Sequence, residues 1–234
     1  MALDEALLQS AVDEGRTWLR IYRWDTPTIS LGYFQSAEDI VLGERFANIP
    51  QVRRLSGGGA ILHHHEWTYS CHFPASHPLT RDPVHLYDIV HEALLKLFAT
   101  WGVHAQLRGA TSNVERSAEP FLCFGRGDSH DIVLNSHKIV GSAQRRRKGA
   151  IAQHGSILLR RSSLAPEFPG LLDLGTFSVR EDEMGIPVWI ALAQALGFPT
   201  ESTSLPDDIQ AVTRTFETER YRTLQWSIGV RGTS

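Results

Sequence analysis

Three consecutive glycines, Gly57, Gly58 and Gly59, stand between two strand-like runs, Gln51–Arg54 and Ala60–Leu62, and impose a strand, loop, strand order on this part of the chain. Without a Cβ, such a run can take positive φ and bring backbone N–H groups closer to a ligand than other residues allow. Two readings follow: a flexible hairpin loop, or a cradle formed by Ser56, Gly57, Gly58 and Gly59 for an acyl carbonyl or a phosphate. Arg53 and Arg54 just before the run, and His63 just after it, favour the cradle.

The rest of the chain supplies strands first interleaved with helices and then followed by them. Apolar residues at Leu3, Ala6, Leu7 and Ala11 have helical spacing over residues 2–14. Strands are expected at Trp18–Trp24 and Thr28–Tyr33 around an Asp25-Thr26-Pro27 turn. Ser36, with Asp39 three residues on, reads as the cap of a short helix. A further strand is expected at Thr68–Phe73. The longest helix should begin at Asp82-Pro83 and stop at Gly102, with His85, Ile89, Ala93, Leu94 and Leu97 along its buried stripe. A strand near Ala105–Leu107, a mobile loop over Gly109–Ser129, and strands at Asp131–Leu134, Lys138–Ala143 and Ala150–Leu159 follow. Helices from Val188 to Leu196 and from Pro206 to Thr223 complete an α+β arrangement, a sheet packed on one or both faces.

At 234 residues the chain is read as one domain, with core motifs over 1–160, a helical part over 161–234 and no accessory domain. Apolar residues make up 42% and charged residues 21%, ordinary values for a globular protein. No run of about eighteen apolar residues is present to span a bilayer, and acids stand at Asp4 and Glu5 where a signal peptide carries bases, so a cytoplasmic location is expected. A net charge of −3 argues against nucleic acid as a partner. The local exception, Arg145-Arg146-Arg147-Lys148, reads as a solvated turn or as a contact for an acidic carrier protein or a phosphate.

Two cysteines are too few for a disulfide framework. Cys71 sits in a strand-like run and reads as a small buried hydrophobe, whereas Cys123 lies in a Gly-, Asp- and Ser-rich segment where an exposed, reactive thiol is expected. A thiol becomes a nucleophile when a nearby cation favours the thiolate, and Lys138 is the leading candidate, with His130, His137 and His154 as competing bases. Gly141-Ser142-Ala143 suits the floor of a groove for an aliphatic chain, or simply tight strand packing. Adjacent strand residues point to opposite faces, so His63, His64 and His65 cannot share one ion, and no metal site is expected. Neither a Gly-x-Ser-x-Gly elbow nor a matching order of triad partners occurs.

Taken together, Met1–Leu8, Leu31-Gly32-Tyr33-Phe34-Gln35, Arg53-Arg54 with the glycine run and His63, and Lys138 with Gly141-Ser142-Ala143-Gln144 through His154-Gly155-Ser156 resemble the catalytic domain shared by lipoate-protein ligases, biotin ligases and octanoyl transferases. The resemblance implies a central mostly antiparallel or mixed sheet flanked by helices, of the class II aminoacyl-tRNA synthetase and biotin ligase type. Cys123-Phe124, fifteen residues before Lys138, is most similar to the cysteine-dependent octanoyl transferases. That likeness implies Cys123 as acyl acceptor and Lys138 as the group that activates it and orients the carbonyl. It also implies Arg54, Gly59, Ala60, Ile61 and Leu62 as pocket lining, with His154 and Gly155 in the same site. No cofactor is then needed. The implied partners are octanoyl-acyl carrier protein and the lipoyl domains of 2-oxoacid dehydrogenases or the glycine cleavage H protein. The alternatives are an ATP- and magnesium-dependent lipoate-protein ligase, and a non-catalytic acyl-carrier-binding module. His64 departs from the family, which usually has an acid at that position.

Overall fold

A computed structural model of the chain describes residues 1–35, 44–46, 48–109, 122–125, 127–223 and 226. In chain order the main elements are α1 (Ala2–Glu14), β1 (Trp18–Tyr22), β2 (Thr28–Leu31), β3 (Gln51–Arg53), β4 (Ile61–His63), β5 (Glu66–Phe73), α2 (Pro83–Thr100), β6 (Gln106–Leu107), β7 (Ile132–Leu134), β8 (His137–Arg147), β9 (Ala150–Leu158), α3 (Gly185–Leu196) and α4 (Asp207–Phe216). The short helix expected at Ser36, and most of the loop expected over Gly109–Ser129, fall outside the described residues.

Six strands form one sheet in the order β1-β5-β9-β8-β7-β6, every neighbouring pair antiparallel. A second, three-stranded sheet has the order β3-β2-β4, with β2 parallel to β3 and antiparallel to β4. The mixed, mostly antiparallel architecture flanked by helices agrees with the expected class.

Period-two alternation along β5 divides the large sheet's two faces. Tyr69, Cys71 and Phe73 pack into the core formed with α2 and α3, while Ser70 on the other face donates to Asp4 of α1. Cys71 is fully buried, and burial pushes its thiol up to about 12, which leaves it chemically inert. Asp82 caps α2, accepting from the N–H groups of Val84 and His85, and Pro83 takes the first helical position as expected. The buried stripe of α2 is Leu86, Val90, Ala93, Leu94 and Phe98, facing Val188, Leu192 and Leu196 of α3. Apart from Ala93, each of these side chains contributes roughly 1.5–3 kcal/mol of burial. The stripe is rotated by one residue from the sequence reading: His85 is exposed, and Ile89 and Leu97 are half-buried at its flank. On the other face α1 packs through Leu8 and Ala11 on Ala150 and Ala152 of β9, and through Ala6 and Leu7 on Ile209 of α4.

The basic run, read as a turn, instead continues β8. Arg145, Arg146 and Arg147 pair with Ala152, Ile151 and Ala150 of β9. The reversal falls on Lys148 and Gly149, whose φ values of 47° and 83° fit a two-residue turn with positive φ at both centres, the geometry that matches strand twist.

Candidate active site

The glycine loop is held from below by Arg54. Its guanidinium, almost fully buried, donates to the carbonyls of Ser30 (2.8 Å), Gly57 (2.7 Å) and Gly59 (2.7 Å) and to Ser56 Oγ (3.2 Å). Turning these carbonyls toward the guanidinium leaves the opposite side of the loop to its N–H groups. Among the described residues, nothing accepts from the N–H of Gly57, Gly58 or Gly59. Only Gly58 of the three takes positive φ, at 92°, and a Cβ on Gly32 of the neighbouring strand would lie 1.9 Å from its carbonyl oxygen. Local backbone packing and the Arg54 guanidinium therefore hold the loop in one conformation.

Cys123 begins a short 3₁₀ turn, Cys123–Gly125, and its N–H donates to the carbonyl of Ala60 (2.6 Å), just beyond the glycines. Leu122 bridges Ala60 in parallel fashion, so the cysteine is pinned beside the cradle instead of riding on a loose loop. Its sulfur lies 4.0 Å from where a Cβ on Gly58 would be.

Lys138 reaches the same place through a bulge. Val133 of β7 pairs with Lys138 while the adjacent Ile132 pairs with Val140, so β8 carries one extra residue. Ile139 and Val140 both enter the core, and Lys138 and Gly141, three residues apart, fall on one face instead of opposite ones. A Cβ on Gly141 would stand 2.4 Å from Lys138 Cε and 2.8 Å from Nζ, so the bare glycine is what lets the lysine lie flat along the strand. Lys138 Nζ pairs with Asp131 Oδ1 at 2.8 Å and sits 5.4 Å from the centre of the Phe124 ring. Burial raises the Asp131 carboxyl above its ordinary value, and the Lys138 ammonium holds part of that rise back.

Two cavity histidines are locked neutral. Ser56 Oγ accepts from Arg54 and meets His154 Nε2 at 2.5 Å, which assigns the hydroxyl proton to that nitrogen's lone pair. Burial, with the Arg54 charge, pushes His154 down to about 3. His91 of α2 ends a one-directional relay. Gln144 donates to Gln153 (2.8 Å), Gln153 to Tyr69 (3.0 Å), Tyr69 meets Ser142 (2.7 Å) and Ser142 meets His91 Nε2 (2.7 Å). His91 Nδ1 then donates to the His130 carbonyl (2.5 Å), and burial pushes the His91 imidazole down to about 4.

Of the expected site residues, Arg54, Gly57, Gly58, Ile61, Cys123, Lys138, Gly141, Ser142, Ala143 and His154 line one cavity of about 510 Å³. Others form its supports: Ser56 binds His154, the Gly59 carbonyl holds Arg54, and Ala60 anchors Cys123. Three stand elsewhere. His63 is buried between Ser30 and Glu66 and stacks on Trp24, because its strand turns that side chain into the small sheet's interior. Leu62 faces a separate apolar recess, and Gly155 is packed under Tyr69 and Ser142. Arg53 is likewise drawn away, to the carbonyls of Gly32, Gln35 and Trp226. His137 is exposed at the start of β8, and His64 stacks on His65.

The cavity also contains Tyr87, His91, Asp128, His130 and Asp131, which the sequence reading left without a role or, for His130, only among competing bases. Val84, Tyr87 and His91 fall at helical spacing along the flank of α2, an interruption of its apolar stripe that would have marked them.

A family model for the lipoyl protein ligase A/B catalytic domain matches residues 1–168, and the chain belongs to that family. Octanoyltransferase LipM of Clostridioides difficile (strain 630) is 37% identical over 164 residues, 68% of this chain and 60% of the relative. The chain thus spans about 60% of the length of the curated relatives it matches. Among solved structures, lipoate-protein ligase A bound with ATP superposes with a TM-score of 0.77 at 23% identity, covering 98% of this chain and 93% of that one. A bi-partite lipoate protein ligase from Thermoplasma acidophilum, analysed with its E2 lipoyl domain, gives a TM-score of 0.76 at 21% identity over 100% of this chain and 92% of that one. At these identities the two structures establish the fold. Among the described residues no helix is long and apolar enough to cross a membrane.

Proposed function

We propose that the protein is a cysteine-dependent acyltransferase of protein lipoylation, moving an octanoyl group from acyl carrier protein to the lysine of a lipoyl domain. The observation that carries this reading is the meeting of Cys123, Lys138 and the glycine cradle in one cavity. In the first half-reaction the Cys123 thiolate attacks the donor thioester carbonyl; a C–S bond forms, and the donor's C–S bond breaks with its electron pair leaving on the carrier thiolate. The N–H groups of Gly57 and Gly58 line the wall where the carbonyl oxygen gains charge, and such a donor commonly contributes ~3 kcal/mol to the transition state. The Lys138 ammonium, fixed by Asp131, supplies positive charge on the far side. In the second half-reaction the acceptor amine displaces Cys123, forming an amide. Exchange of one thioester for another is nearly neutral and amide formation is downhill, so no nucleotide is required. The family, and the name of the relatives at 37–39% identity, support the reaction class. The E2 lipoyl domain studied with the Thermoplasma ligase supports the acceptor class.

Octanoyl transfer from octanoyl-carrier protein to a lipoyl domain, assayed without nucleotide, tests the reading. Transfer by the wild type and its loss in Cys123→Ala are expected. Activity that survives in Cys123→Ala and depends on ATP and magnesium would make the protein a ligase. Binding of the octanoyl carrier without turnover would make it a binding module.

A further inference from the structure

The second half-reaction needs a base that the cysteine and lysine do not provide. The attacking amine arrives from a side chain with a solution pKa near ~10.4 and must shed its protons. Lys138 Nζ is already engaged by Asp131 Oδ1 at 2.8 Å. Of the three cavity histidines, His91 and His154 are buried with Nε2 already engaged by Ser142 and Ser56. His130 differs. Its Nδ1 meets Asp128 Oδ1 at 2.9 Å, and the same carboxylate oxygen accepts its backbone N–H at 2.9 Å. That pairing directs the Nδ1 proton to the carboxylate and leaves the Nε2 lone pair with no partner among the described residues. The imidazole lines the cavity, remains 32% exposed, and packs against the Tyr87 ring at 5.5 Å.

The backbone of His130 is fixed from both sides. Its carbonyl closes the relay through His91, and the turn beneath it is tied by Asp128 N–H donating to Asp131 Oδ2 (2.8 Å) and Asp131 N–H donating to the Asp128 carbonyl (3.1 Å). One four-residue turn thus holds the carboxylate that positions Lys138 and the carboxylate that orients His130. Such a carboxylate, imidazole and free-Nε2 arrangement is that of a general base open to the cavity.

We propose that His130, oriented by Asp128, is the catalytic base for aminolysis of the Cys123 acyl thioester; this rests on the acyltransferase reading above. The acceptor ammonium gives one proton to solvent on entry. The neutral amine then attacks the thioester carbonyl, the N–C bond forms, and the C–S bond breaks with its electrons returning to the Cys123 sulfur. The second amine proton passes to His130 Nε2, and the imidazolium afterwards releases it to water.

The test is single-turnover transfer from enzyme pre-acylated with octanoyl-carrier protein to a lipoyl domain, followed by rapid quench in wild type, His130→Gln and Asp128→Asn. In His130→Gln the ratio of transfer rate to acylation rate is expected to fall ~100-fold, and in Asp128→Asn ~10-fold, within the range of general-base contributions. Free imidazole should restore transfer in His130→Ala, which a purely structural role would not permit. An unchanged rate ratio in His130→Gln, with no rescue of His130→Ala by imidazole, overturns the assignment of His130 while leaving the acyl-enzyme intact. A wild type that never becomes acylated overturns both proposals.

Discussion

Gly141→Ala separates the site's chemistry from its stability more cleanly than removing a reactive group. The new methyl would fall 2.4 Å from Lys138 Cε and 2.8 Å from Nζ, and 3.5 Å from Asp131 Oδ1, so that its three nearest neighbours are all side-chain atoms. The yielding partner is the far end of a flexible side chain, so the lysine moves and the fold stays. Forcing its chain off a preferred rotamer costs about 0.5–1.5 kcal/mol. Stretching the buried pair with Asp131 adds to this but stays below the ~3–5 kcal/mol of losing a partner outright, because both charges remain. The total, about 1–3 kcal/mol, would lower the melting temperature by several degrees for a chain of this size. Activity should suffer far more: a displacement of about 1 Å in a positioned group costs on the order of 100-fold in rate. Thermal unfolding followed by circular dichroism, paired with the rate at which Cys123 gains an octanoyl group from octanoyl-carrier protein, measures both quantities. A Gly141→Ala protein acylated at the wild-type rate would refute the placement of Lys138 as an activating group.

Other expectations follow from the same contacts. Arg54→Lys keeps the charge but loses the fork that holds the Gly57 and Gly59 carbonyls; urea unfolding should show a loss of about 2–4 kcal/mol, with acylation impaired as well. Gly32→Ala sets a methyl 1.9 Å from the Gly58 carbonyl oxygen, so the cradle must shift, and both soluble yield and acylation should drop sharply. His72 and His91, each pushed by burial down to about 4, and His154, pushed to about 3, are neutral when folded but charge near 6.5 when unfolded. Their contribution is therefore fully present above pH 6.5 and is lost as pH falls toward 4, at about 1.4 kcal/mol per pH unit for each. Stability from urea unfolding across that range should fall steeply, and His154→Gln should flatten the slope by one proton's share; a flat wild-type profile would contradict the burial of these rings.

Local signals carried much of the fold. Asp82, Pro83 and Gly102 bracket α2 because capping and termination are written in a few adjacent residues. The extent of β8 was not legible, since Lys148-Gly149 lacks the Asn or Asp that usually marks such a turn and four cations suggest a solvated loop. The three-stranded sheet depends on β2 pairing with β3 across a long separation, which period and propensity do not encode. In the candidate site, Cys123, Lys138 and the glycines stood out by type and spacing, and the structure brings Cys123, Lys138, Gly57 and Gly58 to one cavity. The bulge that turns Lys138 toward Gly141 was not, because one extra residue in a ladder is a property of the pairing rather than of the strand. His63 was misassigned for a related reason: next to a glycine run it looks like a ligand, yet its pairing opposite Thr28 leaves it facing Glu66.

The central claim is that an acyl group rests on one particular sulfur. Intact-mass and peptide-level mass spectrometry after mixing the protein with octanoyl-carrier protein, in the absence of nucleotide, measures this directly. A single octanoyl addition on the peptide containing Cys123, absent in Cys123→Ala and never found on the buried Cys71, is the predicted result. An unmodified Cys123 in protein that still transfers octanoate would contradict the account.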